Sequence, residues 1–263
     1  MQHRPKRSLG QNFLRDASVS QRVVEALDLE PGELVIEIGP GHGALTDRLV
    51  ESGARVTAIE FDRELAPMLD RRFAGISNFS VIEADALHVD FASLISQCTL
   101  ATPGSMKLVA NLPYNISTPI LQRLIDQRDV FSRLVLMFQR EVVERITATP
   151  RGKARGFLSV IAQNAFEIEY LFDVPPQAFD PVPKVWSSVI RLKPTHRTDG
   201  EQKLREVVSR AFAQKRKTLV NNLSRIYPEI AAILSELTLP DKVRAEELTL
   251  VQWRELSRRL ARS

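Results

Sequence analysis

The chain has 263 residues, 44% of them hydrophobic and 26% charged, with a formal net charge of +4. That is ordinary for a soluble protein with a full core, and the length predicts one large domain or one with a small appendage. The single cysteine, Cys98, excludes an internal disulfide, no Cys/His cluster suggests zinc, and no apolar run approaches the ~20 residues that cross a bilayer. The basic start, Met-Gln-His-Arg-Pro-Lys-Arg, leads into Ser-Leu-Gly-Gln-Asn rather than an apolar signal core. The expectation is therefore a reduced, cytoplasmic protein without a metal.

Residues 19–27 have helical spacing (Val23, Val24, Leu27), with Ser18 or Ser20 as the N-cap, and Pro31-Gly32 ends them. A short apolar strand over 33–38 then runs into Gly39-Pro40-Gly41-His42-Gly43, and 44–50 reads as a helix. A second strand, 55–59, ends at Glu60, and a helix follows over 63–73. A third, 79–83, ends at Ala84-Asp85, and a fourth, 107–110, ends at Asn111. A helix over 120–127 and a fifth buried strand over 133–139 complete the run. Alternation of this kind predicts a doubly wound α/β sheet of the Rossmann type, with ligands at the carboxyl ends of its strands. Four polar or glycine features stand at four successive strand ends, a stronger signal than any one glycine loop.

Past Pro150 the pattern changes. Residues 158–165 look helical, 168–174 extended, and 175–184 form a proline-rich loop carrying Phe179. Alternation over 185–192 predicts one more strand. A polar linker at 195–200 precedes a wholly helical stretch broken at Pro228 and Pro240, so the expected domains are 1–199 and 200–263. Charge is uneven along this plan. Residues 1–16 carry four Lys/Arg and one Asp, and 201–263 carry thirteen Lys/Arg against eight Asp/Glu, while the residues between are net acidic. Basic flanks around an acidic centre suit a polyanionic partner.

The strand-end residues suggest what is bound. The glycine loop holds no Lys or Arg and follows Glu37, which fits a cofactor with positive charge and no phosphate, and glycines let backbone approach a ligand closely. Glu60, at the second strand end, can bind both hydroxyls of a ribose, and Asp85 can meet an adenine amino group. S-adenosylmethionine meets all three demands. NAD is the alternative, though the loop lacks the spacing of the dinucleotide fingerprint. Asn111-Leu112-Pro113-Tyr114 reads as a base-binding turn. The Asn111 side-chain oxygen and the Leu112 carbonyl can accept hydrogen bonds from an exocyclic amine. Pro113 stiffens the turn, and Tyr114 offers a stacking face. The plainer alternative is a turn after a strand with a half-buried Tyr.

On these residues the chain resembles the ribosomal RNA adenine dimethyltransferase family, in its bacterial small-subunit branch. The likeness covers nearly the whole chain. It rests on Gly10-Gln11-Asn12-Phe13-Leu14, Glu37-Ile38-Gly39-Pro40-Gly41, Glu83-Ala84-Asp85-Ala86-Leu87 and the unbroken run of 111–121. The stretches 174–184 and 215–223 extend it. The resemblance implies S-adenosylmethionine as cofactor and dimethylation of the 6-amino groups of two adjacent adenosines. The substrate would be a hairpin loop near the 3′ end of 16S rRNA in the small ribosomal subunit, and a part in subunit biogenesis is implied too. Asn12 and Leu14 would close over the cofactor, with Gly39, Gly41, Glu60, Asp85, Ala86 and Asn111 as contacts, and Tyr114 and Phe179 would sandwich the target adenine. For Phe179 the plainer alternative is a hydrophobic plug. Arg4, Lys6, Arg7, Lys215, Arg216, Lys217 and Arg225 would meet RNA phosphates, whereas Arg258, Arg259 and Arg262 suit a solvated helix end. Nothing asks for more than a monomer. One departure stands at Gly156-Phe157-Leu158-Ser159, where the family pattern is Tyr-Gly-Arg-Leu-Ser; it puts in doubt an aromatic or basic role there.

Overall fold

The computed structural model describes residues 5, 6, 9–96, 102 and 104–262. Cys98 and two of the expected RNA contacts, Arg4 and Arg7, lie outside them. The strands are β1 (Phe13–Leu14), β2 (Leu34–Ile38), β3 (Arg55–Glu60), β4 (Phe79–Glu83), β5 (Met106–Asn111), β6 (Phe131–Gln139), β7 (Phe166–Val174), β8 (Phe179–Asp180) and β9 (Ser187–Pro194). Seven of them form one sheet in the order β4-β3-β2-β5-β6-β9-β7, and β1 pairs with β8 in a separate antiparallel ribbon. β2, β3, β4, β5 and β6 run parallel, and β9 is antiparallel to β6. Every residue of β2 and the first five of β5 are buried, as a strand covered on both faces requires.

The helices of the first compact unit are α1 (Ala17–Glu25), α2 (Thr46–Glu51), α3 (Leu65–Arg72), α4 (Phe91–Ser96) and α5 (Ser117–Asp126), with α6 (Arg140–Ile146) after β6. From β2 the chain proceeds outward to β3 and β4, then returns to β5 and β6 on the other side. Right-handed crossovers therefore put the two sets of helices on opposite faces, and the strand order reverses between β2 and β5. The N-cap of α1 is Asp16, not Ser18 or Ser20. Its carboxylate accepts from the Ser18 and Val19 amides at 2.9 and 3.2 Å, and hydrogen bonds to it hold its pKa below the usual range. At the other end of α1, three adjacent strands each send a cation to a carbonyl that the helix leaves unpaired. Lys107 reaches Asp28 O at 2.5 Å, Arg133 reaches Leu27 O at 2.9 Å and Arg191 reaches Ala26 O at 3.4 Å. Helices α4 and α6 were not read from the sequence; each is short and lacks a long apolar period.

The second compact unit is not the expected 200–263. Residues 144–166 cluster with 195–263, and 167–194 belong with the sheet. The reason lies in α7 (Phe157–Ala165), which packs against α8 (Glu201–Ala211) and α11 (Leu250–Leu260) in a bundle with α9 (Leu219–Leu223) and α10 (Ile230–Glu236). Arg254 donates to the Asn164 side chain at 2.8 Å, and the buried Trp253, Leu204 and Val208 belong to the same core.

The departure from the family pattern falls in this unit. Arg155 is buried, and its guanidinium donates to Ala148 O, the Gln163 side-chain oxygen and Leu248 O at 2.7, 3.1 and 3.1 Å. All three acceptors are neutral, and burial pushes its pKa down. Arg155 therefore ties the start of α7 to the turn before α11 at the cost of a desolvated charge. Arg155→Ala is expected to lower stability by roughly 3 kcal/mol, and Arg155→Met to recover most of that loss, because both remove the desolvated charge but only Met fills the volume the side chain occupied. Urea midpoints for the two variants check this; equal losses would show that the hydrogen bonds outweigh the desolvation.

Candidate functional site

One cleft opens where the strand order reverses. The carboxyl ends of β2, β3, β4 and β5 deliver Gly39, Glu60, Asp85 and Asn111 to it, and Asn12, Leu14, Gly41, Ala86, Leu112, Pro113 and Tyr114 line it as well. Each sequence-predicted contact of the cofactor and of the turn at 111–114 is thus in one place. The reason is geometric: parallel strands in register bring their ends to one edge, with Ile38 opposite both Ile59 and Ala110.

The glycine loop needs its glycines. Gly39 and Gly41 have φ of 69° and 58°, the left-handed region that costs other residues about 1–2 kcal/mol. A Cβ on Gly41 would stand 2.8 Å from the Phe13 ring. The Gly41 amide donates to Glu60 Oε2 at 3.2 Å, and the Asp62 amide to Glu60 Oε1 at 2.8 Å. Both bonds fix the carboxylate and leave each oxygen a further lone pair for a ligand hydroxyl. Burial pushes the Glu60 pKa up. Glu37, at the foot of the cleft, is buried and accepts from Thr46 Oγ1 at 2.6 Å, and desolvation raises its pKa to about 8. Asp85 accepts from the Leu87 amide at 3.0 Å, with His88 Nδ1 3.0 Å from its other oxygen. Among the described residues, three carboxyl side chains and no Lys or Arg line the cleft. Such a lining repels phosphate and favours a cation.

Asn111 ends β5, and its amide nitrogen donates to Asn12 O at 3.2 Å. That bond assigns the flip of the carboxamide, so its oxygen is the atom left for a ligand. The Leu112 carbonyl accepts no hydrogen bond among the described residues, and Leu112 itself is buried. Tyr114 is half-buried, and its hydroxyl lies 3.2 Å from Ser187 Oγ at the start of β9. Burial raises its pKa, which keeps it neutral.

Two expectations do not hold in this structure. Phe179 is 2% exposed and packs with Leu14, Val174 and Ala178, paired through β8 to Leu14 of β1. It is not among the residues that line the cleft with Tyr114; the ribbon pairing draws Phe179 into the core. Lys6, expected on RNA, instead binds Asp62 at 2.7 Å and Glu64 at 3.1 Å, which raise its pKa. Gln11 donates to the other Asp62 oxygen at 2.9 Å. The Asp62 side chain is 1% exposed, and a buried carboxylate requires such partners. The N-terminal segment is thereby latched to the turn that follows Glu60. Lys215, Arg216, Lys217 and Arg225 are exposed in the helical unit, with Lys215 donating to Lys153 O at 2.8 Å. Arg258 and Arg259 pair with Glu255, and Arg259 also with Glu236.

Sequence reasoning missed Phe61 and Ser187. Phe61 is 56% exposed and lines the cleft directly after Glu60, so an aromatic next to the strand-end acid was the available signal. Ser187 carried none, because its place beside Tyr114 depends on β9 returning next to β6.

Known proteins resemble this chain over nearly its whole length. A family model described as ribosomal RNA adenine dimethylase matches residues 2–262. A ribosomal RNA small subunit methyltransferase A of Magnetococcus marinus is 43% identical over 96% of this chain and 91% of its own length. Among solved structures, a dimethyladenosine transferase from Plasmodium falciparum superposes with a TM-score of 0.80 at 24% identity, over 95% of this chain and 98% of that one. The 23S rRNA methyltransferase ErmE does so with a TM-score of 0.72 at 27% identity, over 95% of this chain and all of the other. The fold is that of the class I methyltransferases, and the chain belongs to the ribosomal RNA adenine dimethylase family.

Proposed function

We propose that this protein transfers methyl groups from S-adenosylmethionine to the 6-amino groups of adenosines in the RNA of the small ribosomal subunit, two per base. The observation that carries the cofactor is the cleft lining: carboxyls at Glu37, Glu60 and Asp85, glycine backbone at 39 and 41, and no Lys or Arg among the described residues. Glu60 suits ribose hydroxyls, Asp85 an adenine amine, Phe61 and Ala86 an adenine face, and Glu37 a cationic tail. When bound, S-adenosylmethionine supplies an electrophilic methyl group on its sulfonium.

The chain's own work is orientation. An adenine 6-amino group is a poor nucleophile because its lone pair is delocalised into the ring. The Asn111 oxygen and the Leu112 carbonyl accept hydrogen bonds from its two N–H groups and favour a pyramidal nitrogen with its lone pair directed into the cleft. The reacting atoms need only be held at about 3–3.5 Å. Asn111 is an acceptor and not a base, since the product ammonium is acidic once formed. The Tyr114 ring stacks on the base, which must leave its own stack to enter; an unpaired loop adenosine costs least. A second transfer requires that the site admit one methyl in place of a proton. The exposed Lys215, Arg216, Lys217 and Arg225 supply phosphate contacts and salt dependence. The reaction belongs to the cytoplasm, where subunits mature, and the protein acts as a monomer.

The small-subunit substrate is favoured over the large by the 43% identity to a small-subunit enzyme against 27% to ErmE. The test is nucleoside mass spectrometry on unmethylated small subunits incubated with protein and S-adenosylmethionine, with large subunits and duplex DNA in parallel. Dimethyladenosine from small subunits alone is expected. Product from large subunits, or from none, overturns the proposal.

A further inference from the structure

Asp62 is a buried carboxylate that the chemistry set out above does not use. Its main chain is fixed at the start of α3, where its carbonyl accepts from the Leu65 and Ala66 amides at 3.0 and 3.1 Å. Its amide donates to Glu60 Oε1 at 2.8 Å, on the side of the cleft assigned to a ribose. Its carboxylate accepts from Lys6 Nζ on Oδ1 at 2.7 Å and from Gln11 Nε2 on Oδ2 at 2.9 Å.

Gln11 is held at both ends of its carboxamide, because its Oε1 accepts from the Lys6 amide at 2.8 Å. One residue on, the Asn12 carbonyl accepts from Asn111 Nδ2 at 3.2 Å. Beyond Asn12, Phe13 and Leu14 are paired into the β1–β8 ribbon. Asn12 therefore stands between two anchors, the ribbon on one side and the Gln11 clamp on the other. Gly10 in turn packs on the turn after β5, where a Cβ added to it would stand 3.0 Å from Asn115 Oδ1 and 3.7 Å from Pro113 Cβ. The strands β3 and β5 flank β2, so the turns that follow them are about 10 Å apart. Residues 10–12 bridge that interval and touch both turns.

We propose that Asp62 is a positioning residue for methyl transfer, fixing Gln11 so that the Asn12 carbonyl holds the Asn111 carboxamide with its oxygen free for the target amine; this rests on the reading of Asn111 as the acceptor for that amine. A flipped Asn111 carboxamide would present its nitrogen, a donor, to an amine that itself donates. The Asn12 carbonyl decides between the two orientations, and it does so only while it stays in place. The plainer role for Asp62 is to satisfy Lys6 and to close the turn before α3. Lys6 Nζ and the Glu64 amide both meet Oδ1, however, while Oδ2 is aimed at Gln11, the side chain that adjoins Asn12.

Gln11→Ala removes the clamp, and Asp62→Asn leaves one side-chain oxygen to serve both Lys6 and Gln11. Each is expected to slow single-turnover methylation of unmethylated small subunits about ten-fold, the worth of one hydrogen bond. Gln11 also lines the cleft, so S-adenosylmethionine Kd is the control, expected to stay within about three-fold. In an Asn111→Ala background the same substitutions are expected to change the rate by less than about two-fold, because the group they position is gone. Equal losses in both backgrounds, or losses below about two-fold with Asn111 present, overturn the relay while the methyltransferase reading stands. If Asp62→Asn does not fold, Gln11→Ala, at a half-buried position, decides alone. Nuclear magnetic resonance on the free protein gives a readout that needs no turnover. The Asn111 carboxamide protons, identified by their loss in Asn111→Ala, are expected to exchange with solvent about ten-fold faster in Gln11→Ala than in the wild type. An unchanged exchange rate overturns the relay as well. A wild type that makes no dimethyladenosine defeats the methyltransferase reading instead, and the exchange rates then decide whether Gln11 holds Asn111.

Discussion

Asn111→Ala is expected to lower kcat for methyl transfer by about 10²–10³-fold while changing cofactor Kd by less than about three-fold. The carboxamide stands at the end of β5 with its nitrogen tied to Asn12 O, so the oxygen is held in place before a base arrives. Preorganised groups of this kind act on the reacting geometry and contribute little to ground-state binding. Asn111→Asp separates the two ends of the side chain. It keeps an acceptor but cannot donate to Asn12 O, and it sets a carboxylate against that carbonyl. Activity close to wild type in the Asp variant would show that the Asn12 bond is unimportant; activity near that of the Ala variant would assign the loss to orientation. Equal falls in kcat and cofactor affinity for Asn111→Ala would mean that the residue serves chiefly to bind cofactor. Isothermal titration and single-turnover methylation distinguish these cases.

The second large effect is on pH. Glu37 has its pKa raised from 4.5 to about 8 by burial, with Glu60 and Asp47 adding repulsion, so the free protein holds it protonated at neutral pH. A cationic ligand binds the ionised form better. Binding therefore releases a proton below pH 8, and affinity rises with pH by up to about ten-fold per unit, then levels off. Between pH 6 and pH 8 the gain is on the order of 30- to 100-fold. Titration calorimetry in buffers of different ionisation heat measures the proton count. His42 also lines the cleft and the ligand has its own amine, so Glu37→Gln is the control that removes only the Glu37 contribution. A slope unchanged in Glu37→Gln would place the linkage elsewhere. The free protein should respond in the opposite sense. Between about 4.5 and about 8 the folded chain binds more protons at Glu37 than the unfolded chain does, so this group makes stability fall as pH rises through that window. Saturating cofactor should flatten that fall.

Much of the site was legible because a doubly wound sheet turns sequence order into a line of strand ends. Gly39, Glu60, Asp85 and Asn111 each follow a short apolar run, and apolar runs of that length become parallel strands, with the central β2 and β5 buried on both faces. Local chemistry also shows which of these ends repel phosphate, since an absent Lys or Arg is visible in the chain itself. Helix boundaries were less legible. Asp16 outcompetes Ser18 and Ser20 as the cap of α1 because its carboxylate reaches two amides at once.

What the sequence by itself determined, then, is the sheet, the cleft at its reversal point and the chemistry of the cleft walls, for each depends on residues close together in the chain. What only the tertiary structure decided are pairings between distant segments. Phe179 is drawn into the core by Leu14, Lys6 is claimed by the buried Asp62, and Arg155 links α7 to the segment before α11. The orientation of Asn111 depends on a carbonyl 99 residues earlier, and the anchoring of Tyr114 on a serine 73 residues later. Burial and charge satisfaction are settled by which neighbours the fold supplies, and no window of local sequence contains that information.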